Sequence, residues 1–271
     1  MSTSAQSTYG AAPSVAYAGQ LADNGPHDVK SVIAAVAILA SLVVVIGDVA
    51  AKGYLPTTPD VADVDAIIAT GASAATPQTV SGAGLDGAVG GDDMVPPRNV
   101  VLVLNSHTDW DATVATVTGV DADGNVQQED LLIPNGGNVT VTGVKLFAKI
   151  TSLYIPAQTG ATGTFTLGTG SLLGPVNGRF VHGVALYDAT REPEAYPAGY
   201  PVPCVRQGRV FVTSETSYSD GDPVFVRFIA TGDEVAGQVR NAADSNDCVL
   251  LQGARFWRSG SAGVAAINLN L

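Results

Sequence analysis

The sequence predicts an all-β protein. Short runs in which apolar and polar residues alternate recur from Arg98 to the end, with Gly, Asp and Asn turn signals between them. Glycine and proline number 31 and 15, a turn-rich composition, and only 14% of residues are charged, against roughly a quarter in ordinary soluble domains. So little charge implies that much of the surface faces other protein. The most apolar stretch, SVIAAVAILASLVVVIGDVAAKG (Ser31–Gly53), is dominated by β-branched Val and Ile, which favour extended backbone.

That stretch raises the question of a membrane span. The uninterrupted run between Lys30 and Asp48 falls short of the roughly 20 apolar residues that a spanning helix needs. It follows a polar segment without clustered positive charge, which also argues against a signal peptide. It reads as two buried strands, about Val32–Leu39 and Leu42–Ala50, with one buried helix over the Ala-rich part as the alternative. Ahead of it, residues 1–20 are small, polar and weakly patterned, and read as an extended arm.

From Pro56 to Pro97 the composition shifts to Ala, Gly, Thr, Ser and Asp, as in SGAGLDGAVGGDDMVPP, and residues 59–97 read as a linker. One short helix is expected over Val61–Ala69, with Asp60 at its cap and Val61, Val64, Ile67 and Ile68 at helical spacing. Residues 98–174 then read as an antiparallel β-sandwich, with strands in NVVLVLN, ATVATVTGV, VQQEDLLIP, NVTVTGV, KLFAKITSLYI and GTFTLGTG. DADGN (Asp121–Asn125) is a tight turn with glycine where positive φ is required. After Gly174, strands are expected in RFVHGVALYD, YPVPCVRQGRVFVTS, DPVFVRFIA, DCVLLQGARFWRS and GVAAINLNL.

The net charge of −12 is unevenly spread. Residues 59–174 carry 12 acids against Arg98, Lys145 and Lys149, and hold nearly all of the excess. An acidic chain without Lys/Arg patches disfavours nucleic acid as a partner. Cys204 and Cys248 are too few for a disulfide framework and read as buried thiols.

No active site, cofactor site or metal site emerges. His27, His107 and His182 lie far apart and away from cysteine, so each reads as a solvated or core residue. Asp121, Asp123, Asn125 and Glu129 superficially suggest a calcium loop, but the order of ligands around Gly124 is wrong and a hairpin turn accounts for all of them. GTGSLLG (Gly168–Gly174) lacks the following Lys of a phosphate loop. Asp92-Asp93 and Asp109/Asp111 fall in loop-like sequence. Arg206, Arg209, Arg227 and Arg255 fall in or beside strands, where they either line a solvated sheet face or pair with carboxylates of a neighbouring subunit.

AGQLADNGPHDVKS (Ala18–Ser31), His182-Gly183-Val184, Arg206–Val212, Gly221–Arg227 and Ala254–Leu269, in that order, resemble the capsid cement, or decoration, proteins of tailed bacteriophages. The resemblance covers roughly the first 55 and last 95 residues, and residues 59–174 depart from it. It implies a discontinuous β-barrel or jelly-roll-like capsid-binding domain made of residues 21–58 and 175–271, into which the acidic sandwich is inserted. It implies a non-enzymatic structural protein on the outer surface of the virion capsid, made in the host cytoplasm, that binds the major capsid protein and itself. A homotrimer is expected, with a homodimer as runner-up, and neither nucleic acid nor a membrane as partner. Arg227, Arg255 and Arg258 with Phe225, Phe256 and Trp257 are the expected oligomer or capsid interface. A surface adhesin or carbohydrate-binding sandwich, and a β-rich hydrolase, are the alternatives.

Overall fold

The computed structural model describes residues 16–23, 25–47, 51–105, 108–136, 139–190 and 195–271. Among the described residues it is all-β, with 19 strands, one 3-10 turn at Gly82–Gly84 and no α-helix. Among the described residues no helix is long and apolar enough to cross a membrane.

The apolar N-terminal stretch forms β1 (Asp28–Ala34), β2 (Ile38–Leu39), β3 (Val43–Ile46) and β4 (Lys52–Tyr54). Of the two expected strands, Val32–Leu39 is split between the end of β1 and β2, which lie in different sheets, and Leu42–Ala50 is shortened to β3. The break lies at Ala35–Ala37 and at Ser41, whose φ of 73° no strand tolerates. Val43 and Val44 are fully buried, as a strand covered on both faces requires.

The middle of the chain forms β5 (Ile68–Ala72), β6 (Gln78–Ser81), β7 (Arg98–Leu104), β8 (Thr113–Val120), β9 (Val126–Ile133), β10 (Val139–Thr142), β11 (Lys149–Ile155) and β12 (Thr164–Leu173). They make two four-stranded sheets, β10-β7-β12-β5 and β6-β11-β8-β9. Alternate residues of both point into one core that includes Val100, Leu102, Leu104, Trp110, Val117, Ile133, Ile150, Leu153, Phe165 and Leu167. The six strands expected over 98–174 are all present. Two features differ from expectation. The Ala/Gly-rich segment is not a free connector, because β5 and β6 are edge strands of the two sheets. The helix over Val61–Ala69 does not form. Val61 and Val64 are exposed while the adjacent Ile67 and Ile68 are both buried, which no single helix face achieves, and Ile67 donates its backbone N–H to Leu167.

The remaining strands are β13 (Val181–Ala185), β14 (Ala195–Tyr196), β15 (Pro201–Ser214), β16 (Pro223–Arg227), β17 (Val239–Arg240), β18 (Cys248–Phe256) and β19 (Gly263–Asn270). β14 pairs with β2 in a two-stranded sheet, and the other six form with β1, β3 and β4 a nine-stranded sheet that closes on itself twice. The first half of β15 pairs with β1 and β13, and β3 and β4 complete a five-stranded circuit back to β1. The second half of β15 pairs with β19, and β18, β16 and β17 complete a second five-stranded circuit. Gln207 is the hinge of this exchange, opposite Asp28 in one pairing and Asn270 in the other.

Two apolar clusters fill the circuits: one is drawn from the first circuit with β2 and β14, and a larger one joins strands of both, with Val43, Val45, Val181 and Val184 of the first circuit in it. Val32, Ala34, Ile38, Val44, Ala185, Tyr196, Val202 and Cys204 pack together in one cluster. Val205, Val210, Val212, Val224, Val226, Val249, Phe256, Ile267 and others pack in the second. Ala122 and Ala148 of the sandwich join this second cluster, so the sandwich rests on the closed sheet. The Asp121–Asn125 turn is part of that contact. Asp121 Oδ1 accepts from the N–H groups of Asp123 and Asn125, and Asn177 donates to Ala122 O at 3.1 Å and to Asp123 Oδ1 at 2.7 Å.

Candidate functional site

Of the six residues expected at an interface, two are interior. Arg227 is fully buried and Phe256 is 1% exposed. Both sit on the apolar strands β16 and β18, where alternation turns them inward, and Phe256 stacks on Tyr218 with ring centroids 4.4 Å apart. The carboxylates that meet Arg227 come from its own chain, not from a neighbouring copy. Its Nε and Nη2 donate to both oxygens of Glu215 at 2.6 and 2.8 Å, Nη2 reaches Asp244 at 2.9 Å, and Nη1 donates to Ile229 O at 3.0 Å. Glu234 also pairs with it, and Asp247 lies at 3.8 Å. Arg240 joins from the side, 2.6 Å from Asp244. The hydrogen bond to Glu215 raises the pKa of Arg227 further, and the hydrogen bond from Arg227 holds the Asp244 carboxyl below its usual range. This hub pins the connections around β16, β17 and β18 to one buried guanidinium.

The other four expected residues face outward or lie at the rim. Phe225 and Trp257 are half-buried, and Arg255 and Arg258 are exposed. Among the described residues Arg255 makes a long contact to Gly221 O at 3.4 Å. Trp257 and Arg258 form a built feature at the corner between β18 and β19. The N–H of Trp257 donates to Ala266 O at 2.8 Å, which fixes the indole at the sheet margin. Arg258 has φ of 78°, an unusual conformation for a residue with a side chain, and its N–H donates to Asp220 Oδ1 at 2.9 Å. The turn places the Arg258 guanidinium 4.4 Å from the indole centroid, and Arg209 of β15 approaches to 4.1 Å. An indole is the best cation–π partner among the side chains.

Arg209 also links this corner to the N-terminal segment. It donates to Asp23 Oδ2 at 2.7 Å, and residues 19–22 run beside β15 through Ala22 N–H to Arg209 O and Phe211 N–H to Gln20 O. Tyr17 stacks on Tyr187 at 5.5 Å. Asp23 is held below the usual carboxylate range by the Gly25 N–H and by Arg209. His27 Nε2 lies 3.4 Å from Asp23, against the backbone of Gly208. Glycine is required at 208: φ is 115°, and a Cβ there would come within 2.3 Å of the His27 ring. Sequence reading found Trp257 and Arg258 as neighbours. It did not find Arg209 or Asp23 as their partners, because strand pairing brings them together across 48 and more residues.

The histidines serve no common site. His182 Nε2 meets Lys52 O at 3.1 Å, and burial pulls its pKa down; His107 lies outside the described residues, as do residues 1–15 of the expected arm. Cys204 and Cys248 are buried free thiols, as expected. Among the described residues no group of three or more His, Cys, Asp and Glu could hold a metal ion.

Residues 155–270 match the profile of a phage family described as structural cement protein (E217 gp24/Pam3 gp6). No curated protein matches the chain. The matched segment begins at the end of β11 and takes in β12 through β19, so it contains the shared strand β15, the Arg227 hub and the Trp257 corner.

Proposed function

We propose, from the match of residues 155–270 to the phage structural cement protein family, that this protein binds the outside of a bacteriophage capsid and cements neighbouring major capsid protein subunits. The family assigns a structural, capsid-stabilising role in the virion and association with capsid proteins. The observation that supports a docking role for this chain is the Trp257 corner, where an indole sits between two arginines at the rim of the closed sheet. Aromatic and Arg side chains are the groups that anchor protein interfaces, because they bury large area with few rotamers to freeze. Phe225 and Arg255 on the neighbouring strands extend the same reading.

The domain plan we propose is nested. The two closed circuits, built from both chain ends, form the capsid-binding part, and the acidic sandwich is an insertion that projects outward from the shell. Two separate cores and two chain crossings between them support this reading. Copies associate as a trimer over a threefold junction, with a dimer over a twofold junction as the second possibility, since closed symmetry is the usual state of self-associating proteins.

The test is direct. Purified protein is added to expanded heads that lack it, and occupancy and position are read by electron microscopy, with sedimentation of the free protein at micromolar concentration. Ordered density over capsid-subunit junctions supports the proposal. Heads that stay bare at saturating protein overturn it.

A further inference from the structure

A cleft of about 810 Å³ lies where the sandwich meets the closed sheet. Tyr54, Phe180 and Phe228 form its apolar wall, and Arg98 of β7 and Lys149 of β11 come from the sandwich side. Arg98 is the anomaly. It is 7% exposed, yet no hydrogen-bond partner meets its Nε, and among the described residues its guanidinium makes no ion pair. The backbone explains why it is held there: Arg98 N–H donates to Phe147 O and Phe147 N–H to Arg98 O, which locks the residue at the start of β7.

A buried guanidinium keeps its charge and has five donors to satisfy. Its Nε is buried without a partner, and burying a charged donor in that way is unfavourable. The acids nearby do not remove that cost. Asp93 is engaged by Arg179 at 3.4 Å, Asp92 is exposed, and Asp60, the carboxylate whose field reaches Arg98, is exposed and forms no hydrogen bond to it. Burial outweighs Asp60 and pulls the Arg98 pKa down. Arg227, also buried, differs in that it meets Glu215, Glu234 and Asp244.

We propose that the cleft is a binding site for a small oxyanion, a carboxylate or phosphate group, received on the planar fork of Arg98 with Lys149 as the second cation. Paired oxygens match the guanidinium edge, and a ligand there touches both the sandwich and the closed sheet, so occupancy fastens one to the other. This inference does not depend on capsid binding.

The full chain is titrated with inorganic phosphate and, separately, with succinate, each against sodium chloride at matched ionic strength. Two readouts are followed: the melting temperature and the NMR signal of the Arg98 Nε–H. We expect a saturable rise in melting temperature and a saturable shift of that signal with one or both anions; the arm that saturates at lower concentration identifies the group. Arg98→Gln removes the saturable response, and Lys149→Gln, at a half-buried position, weakens it by about tenfold, the loss expected for one charge-assisted contact of ~1.4 kcal/mol. The Nε–H signal reports on the native protein even where Arg98→Gln fails to fold. Responses no different from chloride, or an unchanged response in Arg98→Gln, overturn the proposal.

Discussion

The Arg209 guanidinium lies 4.1 Å from the centroid of the Trp257 ring while the same side chain donates to Asp23 at 2.7 Å. One arginine therefore ties the N-terminal segment, the long strand β15 and the β18–β19 corner into a single surface unit. Its members are half-exposed, so the unit contributes little to folding and is available for contact.

Trp257→Ala is therefore expected to leave the protein folded and to lower its occupancy on heads by at least tenfold. Arg209→Ala should do the same more weakly, with a stability loss of about 1 kcal/mol from a half-exposed ion pair and one cation–π contact. Occupancy on heads and urea denaturation, run on the same samples, check both. Full occupancy by Trp257→Ala removes this corner from the interface.

Arg227 behaves in the opposite way. Arg227→Ala leaves Glu215, 3% exposed at its side chain, with only the more distant Arg240 at 3.6 Å. The expected loss is about 3–5 kcal/mol, enough to unfold a domain of ordinary stability. Chemical denaturation of Arg227→Ala and of Arg255→Ala should separate the two arginines, the latter costing within about 0.5 kcal/mol.

Acid should act on a defined set of carboxylates. Asp23 is depressed by the Gly25 N–H and Arg209, Asp222 by the Ser219 N–H and Asn241, and Asp244 by Arg227 and Arg240. A carboxyl whose pKa is lower folded than unfolded adds stability above its unfolded value, near 4, and that stability is lost as pH falls through the folded value. Melting temperature should thus be flat in these groups above about pH 5 and fall below it. Asp244→Asn should flatten part of that fall, which a melting series from pH 7 to pH 3 would reveal.

Burial pushes the Cys204 thiol up to about 12 and the Cys248 thiol up to about 11. Neither forms thiolate at neutral pH, and thiolate is the reactive species. A thiol-reactive disulfide reagent at pH 8 should label fewer than one cysteine per native chain within an hour and both in denaturant. Rapid labelling of the native chain would show that β15 or β18 opens readily.

Deleting residues 59–174 with a short Gly/Ser join tests the nested plan. The closed sheet loses its contacts with Ala122 and Ala148 and the hydrogen bonds from Asn177, so some stability should go. The remainder is expected to stay soluble and bind heads. Misfolding of this variant together with loss of binding argues for one indivisible unit.

Much of this fold was legible because strands announce themselves by alternation. In β8 and β9, Val117 and Leu131 face inward while Thr118 and Leu132 do not. The edge strands β5 (IATGA) and β6 (QTVS) escaped because Ala, Gly, Thr and Ser carry little strand signal, and their order comes from pairing with β12 and β11. Surface charge misled for a related reason. Arg227 follows VFV in a pattern that suits a solvated face, and only the fold brings Glu215, Glu234, Asp244 and Asp247 around it. Trp257 and Arg258 were visible as a pair of residue types, but Arg209 reaches them only because β15 pairs with β19, placing Arg209 opposite Asn268.

The strand Pro201–Ser214 belongs to both closed circuits, and its two halves are one continuous backbone. A pull along it is borne by ladders on both sides at once, as shear across many hydrogen bonds rather than as peeling of one bond at a time. Neither circuit can give up this stave without breaching the other. In the capsid role proposed above, the load is tension, and two barrels that share one stave fail together or not at all.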